Sequence, residues 1–127
     1  MKYLKIILIF FTVLVYSGCS DLSSSDLIGS WEAVSVTEAG LPLEVDYPLI
    51  RLDIMKDGTY KYQGTLNYHE AGQWHIKAHH LYTMDTLKPG AGEKAVLISS
   101  LTRDSFELKM SENETERIMK MVRVASN

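Results

Sequence analysis

Cysteine is nearly absent from this chain of 127 residues: there is one, Cys19, and proline occurs only three times. A single thiol excludes an intrachain disulfide framework and any metal site built from several cysteines. Past the N-terminal segment, no long apolar run with helical period and matching caps is found, so a helical domain is excluded. Basic charge is also scarce. Lys and Arg number 13 against 16 Asp and Glu, for a net charge of −3. With no basic stripe, the sequence lacks the electrostatic footprint of a nucleic-acid binder. No phosphate-cradling glycine loop, Ser–His–Asp spacing or paired-carboxylate motif stands out. The expectation is a protein that is not an enzyme and carries no cofactor. The hydrophobic content of 46% suits a globular domain and is too high for a disordered one.

What the chain does have begins at its N-terminus. Met-Lys-Tyr-Leu-Lys leads into an apolar run, Ile6 to Val15, broken only by Thr12, and then Ser17-Gly18-Cys19. This is the basic, apolar and small-residue order of an export signal. Ten residues rising about 1.5 Å each cannot cross a hydrocarbon core of roughly 30 Å, so the run is not a stable membrane span. The competing reading is a first core strand with a chance cysteine. Two lysines, the apolar run and the lone cysteine all in register favour the signal. Residues 1–18 are therefore read as a signal peptide, 19–26 as a serine-rich flexible tether, and 27–127 as one folded domain. Losing Lys2 and Lys5 with the signal leaves the remainder more acidic than the whole.

Val15-Tyr16-Ser17-Gly18-Cys19 resembles a bacterial lipobox, with Tyr16 standing where leucine is usual. The resemblance implies that Cys19 becomes a thioether carrying palmitate-like acyl chains. Lipid burial contributes about 0.8 kcal/mol per CH₂, so two or more chains hold firmly to a membrane. The implied address is the bacterial cell envelope, on the outer membrane because Ser20 rather than Asp follows the cysteine. Its periplasmic or surface face stays open.

After the tether, Asp26 is placed to cap a short helical turn, and then the pattern is β. Candidate strands are 31–36, 49–55, 59–65, 71–77, 80–86, 94–100, 105–110 and 115–124. In 49–55, Ile50, Leu52 and Ile54 share one face, with Arg51 and Asp53 on the other. Tyr60 and Tyr62 share a face in the next strand, Gly72, Trp74 and Ile76 in the fourth, and Phe106, Leu108 and Met110 in the seventh. Lys56-Asp57-Gly58 is a hairpin turn, because glycine accepts the positive φ required there. An open meander of eight strands would expose two edges; closing it removes both. The expected fold is all-β, an eight-stranded antiparallel up-and-down barrel, with a two-sheet sandwich as its rival.

Several segments in order resemble short bacterial lipocalin-like domains. Gly29-Ser30-Trp31 is similar to the family's Gly-x-Trp opening, Asp57-Gly58-Thr59-Tyr60 to its second hairpin, and Gly72-Gln73-Trp74-His75-Ile76 to its fourth strand. Ile98 to Thr102 followed by Phe106-Glu107-Leu108 is similar to its penultimate hairpin, and Met121 to Val124 to its closing strand. The resemblance implies that Trp31 plugs one barrel end beneath an arginine of the last strand. Arg123 is the candidate and Arg117 the fallback. It also implies a small apolar ligand in the interior, for which Tyr60, Tyr62, Trp74 and Phe106 are the candidate lining. The chain is shorter than a full lipocalin and lacks its C-terminal helix and disulfide. The alternative is a filled barrel acting as an interaction or accessory protein of the envelope, which bulky linings favour.

Three further features are ambiguous. His69, His75, His79 and His80 gather near one hairpin. They read as a polar surface hairpin before they read as a zinc site, which needs three or four converging ligands. Leu41, Leu43, Val45 and Tyr47 alternate with polar residues in the first long loop; they read as a loop folded onto the barrel rim, or else as a lid or partner contact. Met110, Met119 and Met121 read as plain core, or else as an adaptable lining.

Overall fold

Alternating apolar and polar side chains lay down nine strands in one continuous antiparallel sheet. The structure, a computed structural model, describes residues 23–125. The signal-peptide reading of 1–18, Cys19 and the start of the tether lie outside the described residues. After a helical turn, α1 (Ser24–Leu27), come β1 (Gly29–Glu38), β2 (Leu41–Pro42), a 3-10 turn (Tyr47–Leu49), β3 (Arg51–Ile54) and β4 (Thr59–Gln63). Then follow β5 (His69–Lys77), β6 (His80–Asp85), β7 (Glu93–Leu101), β8 (Ser105–Glu112) and β9 (Thr115–Val124).

Closure comes from β1. Its first half pairs with β3, from Gly29↔Ile54 to Glu32↔Arg51. Its opposite edge pairs with β9, from Ser30↔Val124 to Glu38↔Arg117. Strands β1 and β3–β9 thus form a closed eight-stranded barrel, as expected, and the sandwich is excluded. A bulge between Ala33 and Ser35 bends β1 so that it can serve both neighbours. The two-residue β2 was not foreseen. It folds back on the end of β1 because Ala39 and Gly40 both take positive φ.

Two local outcomes differ from expectation. The serine-rich stretch does not stay a free tether to residue 26: Ser24–Leu27 is a helical turn, with Asp26 inside it rather than capping it. It is held because Leu27 is fully buried and its carbonyl accepts from Trp31 Nε1 at 2.9 Å. The long loop lays Leu43, Val45 and Tyr47 against the core, while Leu41 stays exposed. Tyr47 Oη donates back to the Leu43 carbonyl, and Leu43 N donates to Val36 O at 2.9 Å.

The barrel has two unlike ends. At one, α1 and the β3–β4, β5–β6 and β7–β8 turns gather around Trp31. There Phe106 meets the indole edge-on, with ring centroids 4.5 Å apart. Arg123 lies over the indole, 4.3 Å from its centroid. It also donates to the carbonyls of Arg103, Ile28 and Asp26 at 2.8, 2.7 and 2.9 Å. The Gly29 position must be free of a side chain, because a Cβ there would sit 2.2 Å from that guanidinium. The β3–β4 turn is set by Asp57, whose carboxylate accepts from the Thr59 amide at 3.0 Å and from its hydroxyl. These bonds hold the Asp57 carboxyl below its ordinary range. At the other end, the β4–β5, β6–β7 and β8–β9 connections surround an opening.

Candidate functional site

The open end leads into a cavity of about 350 Å³. Its walls come from the inward faces of β3–β9, with Leu81, Val96, Leu108, Met110 and Met119 supplying apolar surface. This volume lies at the small end of ligand pockets, roughly 300–1,000 Å³. The interior is therefore filled at the Trp31 end and hollow at the other.

One buried acid stands among those walls. Glu70 continues the inward phase of Gly72, Trp74 and Ile76 along β5 and is 7% exposed. Its carboxylate accepts from Tyr60 Oη at 2.5 Å, Tyr68 Oη at 2.7 Å and Lys94 Nζ at 3.0 Å. A buried charge is tolerated only when paired and hydrogen-bonded, and Glu70 is both. Burial pushes its carboxyl up, but the bonds from Tyr60, Tyr68 and Lys94 outweigh that and hold it below the usual glutamate value. Burial likewise works against the charged Lys94, and the Glu70 carboxylate outweighs it, so the ammonium is held above its ordinary value. For Tyr60, burial and the adjacent carboxylate both push the phenol up, so its proton stays on the bridge to Glu70. Asp85 makes a second buried acid: Oδ1 accepts from Leu87 N at 2.9 Å and tethers the end of β6, whereas Oδ2 has no partner.

The Glu70 network carries a pH signature. A carboxyl held low in the folded state contributes stability above the unfolded-state pKa, and that contribution disappears as acid protonates the folded form. Glu70→Gln should cost about 2 kcal/mol at neutral pH, the scale of a hydrogen bond to a charged group. The gap between wild type and variant should close below the usual carboxylate range. Urea unfolding at pH 7 and pH 3 measures it; a gap that persists unchanged at pH 3 would contradict the network's charge-assisted character.

The sequence-derived candidates divide by height in the barrel. Tyr60 and Tyr62 line the cavity. Trp74 and Phe106 do not. The Trp74 indole donates to Met55 O at 2.9 Å, beside the β3–β4 turn, and Phe106 packs under Trp31. Trp31 and Arg123 form the stacked pair at the closed end, while Arg117 belongs to the opposite rim, where it meets Glu38 at 3.4 Å. Met110, Met119 and Met121 are cavity lining. The residues missed in the sequence are Glu70, Tyr68 and Lys94. Among the described residues no three His, Cys, Asp or Glu side chains gather to hold a metal ion. His75 instead stacks flat on Tyr82, with centroids 4.8 Å apart, and its Nδ1 lies 3.9 Å from Glu93.

A meander of eight strands, plugged by a tryptophan under an arginine at one end and hollow at the other, is a lipocalin-like barrel. Solved structures share this fold. A lipocalin-like protein from Bacteroides uniformis superposes with a TM-score of 0.55 at 18% identity, covering 75% of this chain and 97% of that one. An uncharacterized protein from Bacteroides eggerthii superposes with a TM-score of 0.54 at 14% identity, covering 76% of this chain and 98% of that one. Identities this low establish a shared fold. No family model and no curated protein matches the sequence.

Proposed function

We propose that this chain is an exported, lipid-anchored, non-catalytic binding barrel of the bacterial cell envelope, which takes a small ligand with an apolar body into its open end. The observation that carries the reading is the cavity of about 350 Å³ with mainly apolar walls and one organised polar group. A filled interior would have favoured the accessory-protein alternative, so the hollow weighs against it. The anchor rests on the lipobox-like segment ending at Cys19. The described chain joins the barrel at its plugged end, through Ser24–Leu27. A lipid at Cys19 therefore tethers that end and leaves the mouth at the far one, so that ligand arrives from the side away from the anchoring bilayer.

Titrating the purified protein with the uncharged dye N-phenyl-1-naphthylamine tests the cavity. A saturable rise in fluorescence is expected for wild type, and Met110→Trp, which places an indole on the cavity wall, should abolish it. Absence of saturation, or binding indifferent to Met110→Trp, would overturn the ligand reading. For the anchor, the intact mass of membrane-extracted protein should begin at an acylated Cys19. A mass with leader and free thiol retained would overturn it.

A further inference from the structure

We propose that the outer wall of β5–β7 docks a second copy of this chain, in a two-fold pair held by Lys77 of each copy against the partner's Glu93. The inference stands apart from the ligand reading, because it concerns the outside of the barrel. Three observations carry it.

The first is the composition of that wall. Strand register sets its outward side chains in a grid, with Tyr82 at the centre and Lys77, Leu97, Glu93 and Gln73 at the corners in turn. Lys77 and Glu93 are the only Lys, Arg, Asp or Glu in the grid. Met84, on one edge of it, is 40% exposed, and Ala95, on another, is exposed too. The β8–β9 wall is built differently. Its outward charges are matched within the chain, Lys109 with Glu116 and Lys120 with Glu107. Among the described residues no ion pair includes Lys77. Glu93 lies 3.9 Å from His75 Nδ1, which is an ion pair only when that imidazole is protonated.

The second is self-complementarity. Lys77 and Glu93 occupy opposite corners of the grid. In a two-fold contact, if one residue meets another, the reverse also holds. An axis along the other diagonal, through Leu97, Tyr82 and Gln73, brings each Lys77 onto the partner's Glu93. It also lays Met84 against the partner's His75 and Ala95 against its His80, with the two Leu97 side chains face to face. An axis along the strands, or across them, sets both charges against uncharged residues. An axis through Lys77 and Glu93 sets like against like. One arrangement therefore satisfies both charges, and its strands cross steeply, as in orthogonal sheet packing.

The third is a hollow of about 320 Å³ at the Glu93 corner. Its lining includes the carboxylates of Asp57 and Glu93 and no Lys or Arg. The partner's Lys77 enters this hollow, its stem along Met84 and its ammonium beside Glu93. A barrel wall is convex, so the rest of the contact is small. The pair belongs with transient interfaces, those burying less than roughly 1,200 Å².

Zero-length carbodiimide coupling of the full-length protein tests this at low ionic strength, where exposed charges are least screened. A covalent dimer is expected, and its digest should contain a Lys77–Glu93 amide. Within one copy these residues stand two strands and four residues apart, roughly 16 Å, so such a link must join two copies. Lys77→Glu or Glu93→Lys alone sets like charges together twice in each pair and should lower the yield of dimer about tenfold or more. Both side chains are exposed, so neither variant should alter the far-UV circular dichroism. An equimolar mixture of the two variants should restore the dimer, because every 77–93 contact between unlike copies joins opposite charges. A wild-type dimer lacking the Lys77–Glu93 link, or no dimer at all, would overturn the inference. So would undiminished coupling in either variant, or a mixture no better than its components.

Discussion

Trp31→Ala is expected to remove about 3–5 kcal/mol of stability, the range for deleting a fully buried large aromatic. For a domain of this size that is a fall in melting temperature on the order of 20 °C. It is also a large share of the 5–15 kcal/mol typical of a whole domain. The reason is that four separate things converge on one ring. Its edge-to-face contact with Phe106, its Nε1 bond to Leu27, the Arg123 guanidinium over its face and the seating of α1 all fail together. Trp31→Phe keeps most of the apolar area and the stacking surface but loses the bond to the Leu27 carbonyl, so it should cost far less. Thermal unfolding of the two variants followed by far-UV circular dichroism separates these contributions. A drop below 5 °C for Trp31→Ala would mean that the plugged end does not hold the barrel shut.

Gly72→Ala is expected to cost about 3 kcal/mol, the upper end of overpacking penalties, although it adds only one methyl group. A Cβ at this position would lie 1.8 Å from Met84 O and 2.9 Å from both Met84 C and Thr86 N. All three are backbone atoms of β6 and the residues after it, so no side chain can swing aside. Neighbouring strands are held about 4.8 Å apart by their ladder. Relief therefore requires β6 to shift along its pairing with β5, where Gly72 faces Asp85. Thr86 N→Ala71 O, at 2.8 Å, is the bond most directly at risk. The displacement would reach the candidate site as well, because Glu70 lies two residues along the same inward face. Equilibrium unfolding together with dye binding checks both effects. Gly72→Ala with unchanged stability would show that β6 gives way more easily than its hydrogen bonds imply.

Most of the barrel was legible because alternation and turn chemistry agree at each hairpin. Ile50, Leu52 and Ile54 are all buried, as their phase predicts. Gly58 takes its positive φ in the turn assigned to it. What alternation does not encode is height. It gives the face on which Trp74 and Phe106 lie but not the end, which depends on how far each strand is staggered around the barrel. Both therefore passed for cavity lining when they belong near the plugged end. Glu70 escaped notice for another reason. The strand expected at 71–77 begins one residue after Glu70, whereas β5 begins at His69. The usable signal was phase: Glu70 is in step with Gly72, Trp74 and Ile76, and an acid in step with an inward face is buried and paired. Tyr68 and Lys94 could not be found in this way. They meet Glu70 from a hairpin and from β7, which only the folded chain brings together. Leu66, at the apex of the β4–β5 hairpin, is 97% exposed with φ +58. Nothing in the structure explains a leucine there.

The pairing of β1 with β9 has a consequence for how the molecule comes into being. The earliest and the latest strand to be synthesised are hydrogen-bonded along nearly their full lengths. The ring is therefore unfinished until β9 has been made. Bringing together segments so distant in sequence is entropically the most demanding closure this chain can make. Under the proposed export, such late closure favours a threadable chain over a finished ring, which is the condition a narrow translocation channel requires of its cargo.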